Sequence, residues 1–278
     1  MGQRNYGVFN IVAHPHPKGT YEKVLLAAGK LPDGVRFHGD HYARVSPPKK
    51  ESDGFYRGRL AVWTEIDQRE PVIFKQSLEQ ALLNDAGISL PSDVGFNSRI
   101  FYFSFRESDH TLFVELENDE GAKISPGRVA SAFSAILKAV RISGLDSLEA
   151  FSKTNVDAID RIFRMGKLRK IKIVVNAPNP DDLDADLARV YGVMSSMGAK
   201  TIDTTLTKAR GEDSIKLNDF YRAMVVASSD NGYSKADGVD DAGEKIVLST
   251  KDHPQVIVDE IQGEESSYSK ILGVAKNN

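Results

Sequence analysis

Apolar residues in this chain come in short runs cut by glycine and proline, and the runs alternate between two spacings. Some repeat every second residue, as a strand with one buried face requires. Others repeat every third or fourth, as an amphipathic helix requires. At 278 residues without internal repeats, such a pattern specifies strands and helices around one large core or two ordinary ones, at roughly 150 residues per domain.

The segments follow from the punctuation. Val8 to Ala13 predicts a strand ending at Pro15 and Pro17, and Thr20 to Gly29 a helix with Tyr21, Val24, Leu25 and Ala28 on one face. Two strands flank the turn-rich stretch 46–54 as a long hairpin. A helix is expected from Ser77 to Leu83, after Pro71, and a strand pair over Arg99–Phe105 and Thr111–Leu116. Ser125 and Pro126 form the clearest start signal, a good N-cap before a proline that fits the first helical turn. Further helices are expected over Val156–Met165, from Asp181 and Asp182 to Met197, and near Ser214–Ser228. Strands are expected over Leu168–Val175, Lys200–Thr207, Tyr233–Val239 and Glu244–Thr250, the first two completing a strand–helix–strand unit. The class is α+β: two domains, 1–150 and 151–278, each a mostly antiparallel or mixed sheet with packed helices, the boundary falling between about 145 and 167.

Composition narrows the function classes. No cysteine is present, which excludes thiol catalysis, cysteine-ligated zinc and iron–sulfur clusters. No run approaches the ~18 apolar residues of a membrane span, and the N-terminus lacks a secretory signal, so a cytoplasmic protein is expected. The motifs G-x-x-x-x-G-K-[ST], G-x-G, G-x-S-x-G and H-E-x-x-H are all missing, leaving any enzyme reading to scattered residues.

Charge is polarised rather than neutral. The net −3 comes from +5 over residues 1–60, −6 over 61–152, +5 over 153–176 and −7 over 177–278. In the first basic stretch, strand alternation puts Tyr56, Leu60, Val62 and Ile66 inward, and Phe55, Arg57, Arg59 and Trp63 on the other face. His38, Tyr42 and Arg44 alternate on the preceding strand, and Lys49 and Lys50 sit at the tip. Arginines beside aromatics suit phosphate contact and stacking, and equally suit an ordinary solvated sheet face. The second stretch places Arg161, Arg164, Lys167, Arg169, Lys170 and Lys172 within twelve residues without an intervening acid. Converging at one helix end and one strand, they would form the footprint expected for phosphate-backbone binding; a solvated junction balanced by acidic neighbours is the alternative.

Other constellations read more simply as structure. His14 and His16 would face the same way on an extended chain and could hold a metal with Asp40, yet Pro15 and Pro17 read as a rigid strand exit. Asp109, Glu115, Glu117 and Lys123 lack the acid–x–Lys spacing of metal-dependent nucleases. Asp181, Asp182, Asp184 and Asp186 suit the dipole of a helix's first turn better than calcium.

Three pieces carry a resemblance: Asn10-Ile-Val-Ala-His-Pro-His-Pro17, Ser125-Pro-Gly-Arg-Val129 before an amphipathic helix, and Leu168-Arg-Lys-Ile-Lys-Ile173 before a proline-rich turn. The chain resembles an uncharacterised family of bacterial and phage proteins that open with this N-I-x-A-H-P-H-P stretch. More distantly, its order of elements is similar to the RexA-type phage-exclusion proteins. That resemblance implies a dimer that binds double-stranded DNA without strong sequence preference, as the intracellular sensor of an exclusion system whose effector is a membrane protein. The leading expectation is therefore a non-enzymatic DNA-binding sensor without cofactor or metal. Its phosphate contacts would be Lys49, Lys50, Arg57, Arg59, Arg161, Arg164, Lys167, Arg169, Lys170 and Lys172. Its rivals are a metal-dependent nuclease or toxin using His14, His16 and carboxylates, and a protein–protein adaptor working through the acidic C-terminal part.

Overall fold

A computed structural model describes residues 3–15, 17–179, 185–240, 242–260 and 266–278. The first sheet is built from β1 (Gln3–His14), β2 (Val35–His38), β3 (His41–Val45), β4 (Lys49–Lys50), β5 (Phe55–Thr64), β8 (Phe96–Arg106), β9 (Thr111–Glu115) and β10 (Ser147–Ser152). Its order is β10-β1-β9-β8-β5-β3-β2, and its neighbours run antiparallel. Helices α1 (Thr20–Gly29) and α2 (Pro126–Ala139) cover one face. Val129, Phe133, Ile136 and Leu137 of α2 pack there against Phe9, Leu60 and Phe103. Ser125 caps α2 as its residue type predicts, its side chain accepting from the Arg128 amide.

Where a helix is expected over Ser77–Leu83 there is instead a small hairpin, β6 (Pro71–Ile73) with β7 (Gln80–Leu82). Only Leu83 of that apolar set is buried, while Leu78 is 71% exposed and Leu82 48%. A helix there would have had no core to face, so cross-strand bonds satisfy the backbone instead.

The second sheet has the order β12-β11-β13-β14, from β11 (Lys167–Asn176), β12 (Thr201–Thr207), β13 (Gly232–Val239) and β14 (Lys245–Ser249). It carries α3 (Val156–Phe163), α4 (Ala185–Ser196) and α5 (Asp219–Asn231) on one face. Ile171, Ile173 and Val175 of β11 meet Val190 and Met194 of α4 and Met224 of α5 in a separate core. The strand–helix–strand unit is present, but β11 and β12 pair antiparallel. Helix α5 begins at Asp219 rather than near Ser214, capped by the Asn218 side chain. Asp181, Asp182 and Asp184 lie outside the described residues.

The chain then returns to the first sheet. Strand β15 (Val256–Glu260) pairs with Gln3–Gly7 of β1, on the same flank that β10 occupies further along. The outgoing and returning segments run side by side: Thr154 bridges Pro254, and the Gln255 amide donates to the Lys153 carbonyl at 2.8 Å. The second sheet is thus inserted between two strands of the first. A single cut near residue 150 does not divide them. The final helix α6 (Ser267–Asn277) covers the other face of the first sheet, with Ile271 and Val274 against Tyr6, Val8, Phe55 and Phe113.

Covered on both faces, β9 is buried along its whole length, Glu115 included. Burial pushes the Glu115 carboxyl above its ordinary value, against hydrogen bonds from the Ser267 hydroxyl and the Tyr102 amide and the charge of Arg4. These contacts tie α6 to β8, β9 and β1. No helix among the described residues is long and apolar enough to cross a membrane.

Candidate nucleic-acid interface

The two basic stretches fall on different sheets. In the hairpin, Arg57 is 9% exposed, not solvent-facing as alternation alone predicts. Its Nε and NH2 donate to one Glu51 carboxylate oxygen at 3.0 and 2.6 Å, and its NH1 donates to the Tyr268 carbonyl at 2.7 Å. The guanidinium also lies over the Tyr268 ring, 4.2 Å from its centroid. Phe55 is likewise buried, and the cause is α6, which closes over this end of the face. Ile66, expected inside, lies past the end of β5 and is 45% exposed.

The hairpin's lysines are exposed but paired. Lys49 meets Glu51 at 3.3 Å, and Lys50 reaches Glu22 of α1 at 2.8 Å. The Arg57 hydrogen bond, with Lys49 adding to it, holds the Glu51 carboxyl below the usual glutamate range. Arg59 alone of the four is exposed without an ion-pair partner among the described residues.

The second stretch has a different fate. Arg161, Arg164, Lys167, Arg169 and Lys170 are exposed, and Lys172 is half-buried. Arg164 makes a loose contact with Asp160 at 3.4 Å, and Lys167 one with Asp213 at 3.9 Å, both between exposed groups where such pairs contribute little. Lys172 pairs with Asp203 at 2.9 Å, which raises its pKa. Arg161, Arg169 and Lys170 have no ion-pair partner among the described residues.

These cations do not converge on one patch. Ile159 and Ile162 anchor α3 on the covered side of the sheet. Arg161 and Arg164 accordingly line a shallow groove of about 270 Å³ with Asp240 and Ile246. Lys170 and Lys172 project from the opposite side, because Ile171, Ile173 and Val175, alternating with them along the strand, point into the core. A bulge between Leu168 and Lys170 leaves Arg169 and Lys170 exposed in succession.

That opposite side carries no helix among the described residues. Thr207 stands across from Lys170 and Thr205 from Lys172 on β12, both exposed. On the other flank Lys235 stands across from Lys172 and Asp237 from Lys170. Tyr233 lies beyond them with the Lys251 ammonium 3.7 Å from its ring centroid. The open face therefore sets Lys170, Lys172, Lys235 and Lys251 against Asp203 and Asp237, with threonine hydroxyls between them. Such a surface offers a phosphate chain both point charges and neutral donors. Lys235, Thr205 and Thr207 are not visible as a charge run, since each belongs to a segment of mixed sign and only the sheet register brings them beside β11; Lys251 joins them through Tyr233.

The histidine-rich stretch lies in the seam between the sheets. Asn179, fully buried, donates from Nδ2 to the Ile11 carbonyl at 3.0 Å and accepts through Oδ1 from the Ala13 amide and the Tyr21 hydroxyl. Asn10 donates to the Asn231 side chain at 2.8 Å, and His14 Nε2 lies 3.0 Å from the Ala177 carbonyl, the geometry of an Nε2–H donor. The motif thus docks β1 against the second sheet. His16 lies outside the described residues. Asp40, the carboxylate suggested for a metal, pairs with Arg36 at 3.0 Å. No group of three or more His, Asp or Glu side chains converges among the described residues. The carboxylates considered for a nuclease are separately engaged: Asp109 with Arg106, Glu115 with Ser267, and Glu117 with Lys123 at 3.2 Å.

A family model described as a domain of unknown function, DUF4747, matches residues 3–276. The chain belongs to the DUF4747 family. The match takes in both sheets and the returning α6, so the inserted arrangement lies within a single DUF4747 unit. No curated protein matches this DUF4747 chain.

Proposed function

We propose that this DUF4747 protein binds double-stranded DNA, largely without sequence preference, through the open face of its second sheet. The observation that carries the reading is the run Arg169, Lys170 and Lys172 flanked in register by Lys235 and two exposed threonines, on a face that no helix among the described residues covers. These groups suit phosphates rather than base edges, so affinity comes from counterion release and is indifferent to sequence. Arg161, Arg164 and Lys167 border the same sheet and extend the contact around its edge. Arg57, Lys49 and Lys50 stay with their acids. The RexA-type resemblance supports a place for this binding in phage exclusion, as a homodimeric sensor that passes its signal to a membrane effector.

Gel-shift titrations across a salt series with unrelated duplexes test the binding. The four cations of the open face alone predict a log–log slope of about −3 to −4, steepened further where Arg161, Arg164 and Lys167 also reach phosphates, and the same for each sequence. A flat salt response, or affinity confined to one sequence, contradicts it.

A further inference from the structure

Outside the DNA-binding reading, and independent of it, the first sheet carries a groove of about 630 Å³ on the side away from α1 and α2. Its volume is that of a small-molecule site. Arg44 of β3 and Arg59 of β5 form one end. Arg44 stands across from Ala61, so the two arginines are diagonal neighbours on one face. Neither has an ion-pair partner among the described residues, although Arg44 is half-buried and most of the chain's other buried or half-buried cations stand beside an acid.

Trp63 and the 44%-exposed Ile100 form the apolar middle. The indole is gripped by backbone on two sides: a Cβ at Gly34 would come within 2.2 Å of it, and one at Gly95 within 2.0 Å. Only glycine permits that approach, and it fixes the ring as a rigid wall. The far end is acidic. Glu65 accepts the indole N–H at 3.2 Å, and Asp33 and Asp93 are exposed beside the two glycines. Arg59 lies four residues before Trp63 on the strand, about 13 Å along it at the rise of an extended chain.

We propose that this groove binds a nucleoside monophosphate. The two guanidiniums take the phosphate, in the charge-assisted geometry for which arginine is suited. Ala61, Trp63 and Ile100 bury the flat body of the base. The carboxylates at the far end accept from its exocyclic amino group and from sugar hydroxyls. The separation of a basic from an acidic end by an apolar wall matches a ligand with an anion at one end and donors at the other.

Trp63 is the chain's single tryptophan, so its fluorescence reports this groove directly. The full chain is titrated with AMP, GMP, CMP and UMP under red-edge indole excitation, with ligand-observed NMR as a second readout independent of quenching. The expected result is saturable binding of at least one nucleotide, weakened about tenfold or more in R44Q/R59Q at unchanged melting temperature. Adenosine and inorganic phosphate, each carrying half the chemistry, bind at least about tenfold more weakly. Three results overturn the proposal: no saturable binding by either readout, equal binding by R44Q/R59Q, or adenosine or phosphate binding as tightly as the nucleotide.

Discussion

Lys49, Lys50 and Arg57 on the hairpin each meet a carboxylate, whereas on the open face of the second sheet Lys170 and Lys235 stand beside threonine, aspartate and lysine without an ion pair among the described residues. The difference comes from what lies above each sheet. Helix α6 closes over the end of the hairpin and takes Arg57 out of water, and a buried guanidinium must be paired. Lys170 is exposed, with no described element above it, so water solvates it and its charge stays available. Arg57, buried and paired, serves stability, while the exposed cations of the open face without an acid beside them are free to serve binding.

Substitutions can break this comparison. Arg57→Ala strips Glu51 of its main partner and opens the contact with Tyr268, and is expected to cost about 3 kcal/mol. Lys170→Ala is expected to stay within about 0.5 kcal/mol. Urea unfolding of the two variants measures both, and equal costs would show that α6 does not distinguish the regions.

Acid sharpens the same contrast. The Glu51 carboxyl titrates below its unfolded value, so its contribution is present above the ordinary glutamate range and is lost as pH falls through the lower folded value. Melting temperature followed downward from that range should therefore fall less steeply in Glu51→Gln than in the natural chain. An unchanged slope removes the Glu51–Arg57 pair from the account. The smallest effect belongs to Lys50→Ala. Its partner Glu22 and the lysine are both surface groups, and the loss should fall within the error of the same unfolding measurement.

Local chemistry made much of the fold readable. Ser125 and Pro126 announce α2 because capping is settled within one turn, and Thr20–Gly29 is a helix with the predicted inward face. Leu78, Leu82 and Leu83 misled because apolar spacing signals a helix only where a core waits for it. Strands β10 and β15 carry weak local patterns and exist because β1 offers its flank to both. Of the candidate interface, the cations of β11 were legible as a charge run. Their division between two sides of a sheet was not, and neither was the burial of Arg57 by a helix more than two hundred residues away.

The central claim is that the open face of the second sheet, and not the hairpin, holds DNA. Salt-dependent affinity for a random duplex, compared between K170E/K172E/K235E and K49E/K50E, tests it most directly. The account predicts that the first variant loses at least about tenfold in affinity and has a shallower salt slope, while the second stays within about threefold of the natural chain. The reverse order, or two variants that both bind like the natural chain, contradicts it.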